Sequence, residues 1–267
     1  MAQFEALTFD WANNSSINYD IYINDFENPV GWRTEPAGSN INIISDAVPR
    51  RAEQYIYGVN QSNAQQFNII ISSPNPKSRA ELDRIMSWLI QPVPQYLSVN
   101  QPDMEFYRYH GFFTNPQTVS TSNMLLGLQF TFVVTSPFAF TFPKTEKLNI
   151  TAPLNYIFNN ESGDINYLFP KLIIRPANIT QAFSIINNSD NGREFRFNFA
   201  SPFPNGNEII TVDNKLQIIQ SSDGFSRQRF DQFNLNWLRF IRGANNLRIT
   251  GNADLEICYE FARRIGA

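Results

Sequence analysis

Residues 126–134, LGLQFTFVV, place Leu126, Leu128, Phe130, Phe132 and Val134 on one face, with Gly127, Gln129 and Thr131 between them. Period-two alternation is the signature of a half-buried β-strand. At about 3.3 Å per residue, this stretch spans roughly 30 Å and belongs in the middle of a sheet. The same alternation recurs outward from it. On the N-terminal side, Tyr19, Ile21 and Ile23 form one such set, Tyr55, Tyr57 and Val59 a second, and Phe67, Ile69 and Ile71 a third. The fold class follows: a mainly β protein.

One segment obeys a different period. In SRAELDRIMSWLI, starting at Ser78, the residues Leu82, Ile85, Met86 and Leu89 recur at helical spacing. Ser78 and Glu81 have the S-x-x-E relation of a capping box, Pro74 and Pro76 precede them, and Pro92 and Pro94 follow. The spacing predicts one helix near 78–90, its apolar face packed on a sheet.

A boundary is expected in SPFAFTFPKTEKL, residues 136–148, where Pro137 and Pro143 lead into the charged run from Lys144 to Lys147. This divides the chain into domains at 1–143 and 144–267. The second half reads as seven or eight short strands without a helix, the pattern of a β-sandwich. Leu172 and Ile174 alternate, as do Phe195, Phe197 and Phe199. Ile210 and Val212 run through a tight turn at Asp213-Asn214-Lys215 into Leu216 and Ile218. Phe233, Leu235 and Trp237 are taken as one strand face. Turns are expected at Gly243–Asn246 and at Gly251-Asn252, the latter leading into Leu255, Ile257, Tyr259 and Phe261.

Composition supports the class and narrows the function. The chain has 267 residues, of which only 17% are charged, against roughly 25% in average domains. Neutral polar residues fill the gap, with 32 Asn, and aromatics reach 14%, 24 of them Phe. A net charge of −3 gives no global basic field, which argues against a dedicated nucleic-acid binder. One cysteine, Cys258, and one histidine, His110, exclude an internal disulfide, a cysteine zinc site and any two-histidine metal site. MAQFEALTFDWANN lacks a basic and an apolar signal region, and no run is long enough to cross a bilayer as a helix. No secretory signal and no membrane insertion are expected.

Candidate chemistry is sparse. His110, in EFYRYHGFF, lacks a visible carboxylate or nucleophile partner and reads as structural or surface-lying. Cys258 is out of phase with the apolar face of its strand, hence half exposed or packed on a second layer. NNSDNG, residues 187–192, compares with a calcium loop, but Asn187 and Asn198 stand where that loop needs Asp and Glu, so a hairpin turn is expected. Trp237 with Phe230 and Phe233 could form a sugar platform, although their alternation favours the core. Arg239, Arg242 and Arg248 lie near Asp254, Glu256 and Glu260, a charge-balanced surface. N-x-S/T triplets at Asn149 and Asn178 carry no weight without a secretory signal. No catalytic, cofactor-binding or metal-ligating residue is nominated, no cofactor is expected, and no enzyme emerges. Many strand edges with little charge favour an assembly protein.

The order of segments resembles a known family. FDWANNSSINYDIYI, PRRAEQYIYGV, FNIIIS, the helix ending in SWLI, EFYRYHGFF and the strand closing on VVTSPFAF resemble the N-terminal domain of distal tail (Dit) proteins, from siphophages of Gram-positive hosts. FNNESGDINYLFPKLIIRP, GNEIITVDNKLQII and LRFIRGANNLRITGNADLEICYEF resemble that family's galectin-like C-terminal domain, with Asp213 at one turn and Gly243, Asn245 and Asn246 ahead of the last hairpin. The resemblance implies an N-terminal ring-forming β-sandwich with one helix and a C-terminal galectin-like β-sandwich. It implies a hexameric ring in the virion tail tip, joining the tail tube to tail-tip or baseplate proteins around a DNA channel. The implied partners are further copies of the chain, the tail-tube protein, a tail-associated tip protein and receptor-binding proteins. DNA would pass without specific binding, which suits a mildly acidic chain. Ring and partner-contact residues are not identified by the sequence. The alternatives are a lectin-like cell-wall carbohydrate-binding module and a cell-wall hydrolase, the latter needing a carboxylate pair that does not stand out.

Overall fold

The computed structural model describes residues 7–24, 41–47, 52–61, 66–101, 104–121, 124–177 and 180–264. The side chain of Leu126, the residue Asn178 and the Pro49–Arg51 start of one family segment lie outside the described residues. The chain forms two compact units. The first runs through Thr141 and resumes at Arg263, and the second is Phe142–Ala262.

In the first unit the strands are β1 (Phe9–Trp11), β2 (Asn14–Ser15), β3 (Tyr22–Asn24), β4 (Ile41–Ala47), β5 (Gln54–Gln61), β6 (Gln66–Ser72), β7 (Gln95–Val99), β8 (Tyr107–Thr121), β9 (Met124–Val134) and β10 (Ala139–Thr141). The sheet order is β2-β1-β7-β8-β9-β6-β3, with β10 also on β8. The alternating stretch that begins the sequence reading is β9, flanked by β8 and β6 as its length demands. Leu128, Phe130, Phe132 and Val134 are all buried. A bridge between Leu7 and Ile23 joins the segment leading into β1 to β3, so the two ends of the sheet meet around one core. Gly127 permits the β6–β9 approach, because a Cβ there would overlap the Ile71 carbonyl oxygen.

Helix α1 (Arg79–Leu89) starts as expected. Ser78 Oγ accepts from Glu81 N at 3.3 Å and Glu81 Oε2 from Ser78 N at 2.8 Å, a complete capping box. Leu82, Ile85, Trp88 and Leu89 are its buried face. Two tryptophans lock it to β1: Trp11 Nε1 donates to Leu89 O at 3.1 Å, and Trp88 Nε1 donates to Trp11 O at 3.0 Å. Phe9 and Tyr19 stack on Trp88, with ring centroids at 5.7 and 4.6 Å.

The second unit holds β11 (Lys144–Ile150), β12 (Leu154–Asn160), β13 (Lys171–Pro176), β14 (Ala182–Asn187), β15 (Arg193–Asn198), β16 (Ile210–Asp213), β17 (Ile218–Ser221), β18 (Gly243–Thr250) and β19 (Ala253–Tyr259). They form two sheets, β11-β19-β13-β16-β17 and β12-β18-β14-β15, over one shared core. The alternations at Leu172/Ile174, Phe195/Phe197 and Ile210/Val212 all point into it.

Several expectations change here. Tyr19 does not share a strand with Ile21 and Ile23, because it ends a 3-10 turn, Ser16–Tyr19, and Asp20 at φ 52° separates that turn from β3. A second helix, α2 (Ser226–Asp231), occupies a half expected to have none; at six residues it is too short to display a 3.6-residue period. It is held instead by Arg229, which is fully buried. Phe233, Leu235 and Trp237 do not form a strand face, since Leu235 is 56% exposed at φ 61° while Phe233 and Trp237 are buried. In the β16–β17 hairpin Val212 pairs with Ile219, so Ile219 is the buried residue and Leu216 and Ile218 are exposed. Gln217 at φ 58° lengthens the turn, and a one-residue change exchanges the faces. Finally, Gly251-Asn252 is no hairpin: β18 and β19 lie in different sheets, and the turn carries the chain across the core.

A glycine in place of Leu235 relieves that left-handed backbone and removes a side chain already in solvent. Leu235→Gly is therefore expected to change unfolding free energy by less than about 1 kcal/mol, with stabilisation as the favoured sign. A urea melt that instead shows a core-sized loss would restore the strand reading.

The abundant Asn has a structural use beyond turns. Asn160, Asn187, Asn214 and Asn245 are at most 1% exposed, and each side-chain amide replaces a peptide partner for a loop. Asn214 Nδ2 donates to Pro170 O at 2.7 Å while its Oδ1 accepts from Leu238 N at 2.8 Å. Asn245, expected in a turn, sits inside β18; its Oδ1 accepts from Ile241 N at 2.9 Å and its Nδ2 donates to Ile241 O at 2.8 Å. An amide can both donate and accept, so loop backbone is satisfied without bringing charge into the core.

Candidate assembly surfaces

Among the described residues, strands β4 and β5 pair only with each other. The alternation of β5 predicts a buried face, and the structure shows the reverse. Tyr55, Tyr57 and Val59 project from one face of β5 and Ile56 from the other, and all four are 47–68% exposed. Ile43 and Ile44 of β4 are also exposed, and a register shift after Ile44 breaks the ladder. Asp46 is the only charged residue within the two strands. A lone two-stranded ribbon is marginal in water, and a contiguous apolar surface of this kind marks an interaction site. Its hydrophobic period is real, but nothing within the described residues of the chain covers it.

The remaining candidates resolve into structural roles. His110 Nδ1 lies 2.7 Å from Thr135 Oγ1, and that hydroxyl donates to His110 O at 3.0 Å, so the pair ties off adjoining strand ends. Cys258 is half exposed, facing Thr145 Oγ1 at 3.6 Å on the outer face of its sheet. NNSDNG is the β14–β15 turn. Asn187 is buried, Asn191 and Gly192 adopt positive φ, and Asp190 is taken by Arg239 at 2.7 Å. Trp237 packs edge-on against Phe233 at 4.8 Å inside the core, which removes the aromatic platform for a sugar.

On the outer face of the five-stranded sheet, charged groups pair with one another. Glu256 pairs with Arg175 at 2.7 Å and Lys147 at 3.9 Å, and Asp254 accepts from Asn149 Nδ2 at 2.6 Å. These residues line a shallow 290 Å³ depression on the outer face of the five-stranded sheet. A second depression, 320 Å³ in the first unit, is lined by Asn18, Asp20, Lys77, Glu81 and Arg84. Burial raises the Asp20 pKa, but hydrogen bonds from Asn75, Lys77 and Ser73 and the Lys77 charge leave it below the ordinary value. Glu81 is likewise lowered, by its side-chain and backbone hydrogen bonds to Ser78. Neither acid is poised to carry a proton near neutrality. Between β11 and β19, Glu146 Oε1 accepts from Tyr259 OH at 3.1 Å, and burial followed by that carboxylate pushes the phenol up to about 12. Among the described residues no group of three His, Cys, Asp or Glu could hold a metal ion, and no helix is long and apolar enough to cross a membrane.

The edges of the second unit differ sharply in protection. The outer edge of β15 is covered by residues 232–234: Asn198 N donates to Gln232 O and Asn234 N to Arg196 O, both at 3.0 Å. Helix α2 packs against β17, where Ser221 N donates to Ser226 Oγ at 2.9 Å. The β11 edge carries Lys144, Glu146 and Lys147. The β12 edge, LNYIFNN, carries no charge, and among the described residues it has no cover.

Comparison with known proteins matches this architecture. A family model described as the phage tail protein N-terminal domain matches residues 4–136, and one described as the phage tail C-terminal domain matches residues 138–259. No curated protein matches the chain. Among solved structures, the Dit protein of phage SPP1, described as a paradigm of the hub adsorption apparatus in phages infecting Gram-positive bacteria, is similar at TM-score 0.68 and 10% identity; 96% of this chain and all of that one are covered. A chain of the phage P2 baseplate in its activated conformation with calcium is similar at TM-score 0.57 and 8% identity, covering 96% of this chain and 98% of that one. The same baseplate with strontium gives TM-score 0.54 and 9% identity, with 95% and 98% covered. Two adjoining domain models thus account for the chain almost end to end, and it belongs to the phage tail proteins built from that pair of domains, with the fold of Dit.

Proposed function

We propose that the chain is a distal tail protein whose copies close into a hexameric ring, joining the tail tube to tail-tip or baseplate proteins around a channel for DNA. The observation that carries this reading is the β4–β5 ribbon. It presents apolar side chains on both faces, and covering each one contributes about 1 kcal/mol or more. A closed ring uses one patch against a different patch on the next copy, so every ribbon finds a partner and none is left over. The N-terminal domain, 1–143, is the ring former in this reading. The galectin-like domain, 144–267, serves as a docking surface for neighbouring tail proteins. The structural partners of Asp20, Glu81, Asp190, Glu208 and His110 support a non-enzymatic role. A zymogram on host cell walls is expected to stay uncleared.

Six copies of 30.7 kDa give about 184 kDa in solution, with open-centred rings in negative stain. Ile56→Asp places a charge on the ribbon at a side chain that is 65% exposed, and it is expected to reduce that mass to the monomer's while the far-ultraviolet spectrum of the folded chain is kept. A wild-type monomer that also fails to assemble when mixed with tail-tube and tip proteins would remove the hub reading. A ring that tolerates Ile56→Asp would remove the ribbon from it.

A further inference from the structure

We infer that the outer edge of β12 is a β-augmentation site, which takes an extended, uncharged segment of another tail protein as an added strand. The argument is one of contrast. Three edges of the second unit are shielded by three different devices: a covering segment on β15, a helix on β17 and a run of charge on β11. β12 is seven residues long, carries no charge from Leu154 to Asn160, and ends its sheet. Antiparallel pairing with β18 uses one set of its alternate backbone groups, and the other set points away. Among the described residues no backbone hydrogen bond from another segment reaches that second set.

Unpaired N–H and C=O groups in a row fix the occupant's conformation, because only another extended strand satisfies them in register. Side chains fix its chemistry. On the outer face Ile157 is 66% exposed between Asn155 and Asn159, also exposed. The incoming strand therefore needs an apolar or β-branched side chain opposite Ile157 and amide or hydroxyl side chains opposite the two asparagines. The inner face is already filled, with Phe158 buried and Tyr156 packed on the core, so selectivity lies on the outer face. That the partner is a tail protein rests on the hub reading above; the assignment of the edge does not.

The test replaces Ile157 with the photo-cross-linker p-benzoylphenylalanine in the full-length chain, expressed during infection, and isolates the complexes the chain enters. The expected result is a cross-link from position 157 into an uncharged segment of another tail protein. In the same complexes, hydrogen exchange at the outward set of β12 amides should slow by roughly 100-fold relative to the free chain. The charged variant Ile157→Lys should abolish both at an unchanged melting temperature. A cross-link to position 157 of a second copy would replace the partner strand with a dimer contact and overturn the proposal. Normal incorporation into tails with no cross-link and no slowing would also overturn it. The same cross-link and protection in a complex that is not a tail would remove the hub reading and leave the edge assignment standing.

Discussion

Arg229→Met is expected to destabilise the second unit by about 3–5 kcal/mol. The residue is fully buried, and Glu208 beside it is 1% exposed. Their contact is bidentate, Nε to Oε1 at 2.8 Å and Nη2 to Oε2 at 2.6 Å. The remaining donors and acceptors are also matched: Nη1 donates to Pro202 O and Gln232 Oε1, and Ser221 Oγ donates to Glu208 Oε1. The magnitude comes less from lost attraction than from the carboxylate left buried without its counter-charge. Replacing both partners removes that orphan. Arg229→Met combined with Glu208→Leu should regain most of the loss, which makes the double-mutant cycle the decisive measurement. A double variant no more stable than Arg229→Met alone would show that α2 is held by packing and not by the pair.

Trp11→Ala is expected to cost the first unit about 3–5 kcal/mol from the cavity alone. The indole is 1% exposed and meets Phe113 and Phe132 edge-on at 4.9 and 5.7 Å. It also donates to Leu89 O, where the helix ends, so the truncation leaves a buried carbonyl without its partner, about 1–3 kcal/mol more. Trp11→Phe narrows the division, because it keeps a six-membered ring in the core and loses the donor with the smaller, five-membered part of the indole. Denaturant melts of the three proteins should rank wild type, Trp11→Phe, Trp11→Ala, with the far-ultraviolet signal of α1 lost in the same transition as the sheet. Equal losses for Phe and Ala would assign the whole effect to the hydrogen bond.

What the sequence disclosed depended on whether a residue's periodicity served the chain's own core. β9 and α1 are legible because their apolar faces are buried locally and their ends carry signals such as Ser78 and Glu81. The β4–β5 ribbon shows the same alternation for a different reason, and period alone cannot say whether the apolar face meets this chain or another. α2 was hidden because it is fastened by one ion pair between residues 21 apart, which no periodic reading registers. The β17 phase and Leu235 were misplaced by single residues at positive φ, Gln217 and Leu235 itself, where no glycine marks the turn. Asn187 and Asn245 looked like turn formers; their burial, and hence their part in holding loops, comes from partners 52 and 58 residues away. The unguarded β12 edge becomes visible only when the covers on the other three are seen.

The path of the chain has an evolutionary consequence. The second unit begins at Phe142, ends at Ala262, and hands the chain back to the first at Arg263. It is thus a cassette spliced into its host, moored at both ends, and not a pendant on a single tether. A truncation before Arg263 would therefore take residues from the host and not from the cassette. The host in turn keeps a single pair of splice points, Thr141 and Arg263, so a lineage can exchange the cassette for another without recutting the sheet that receives it.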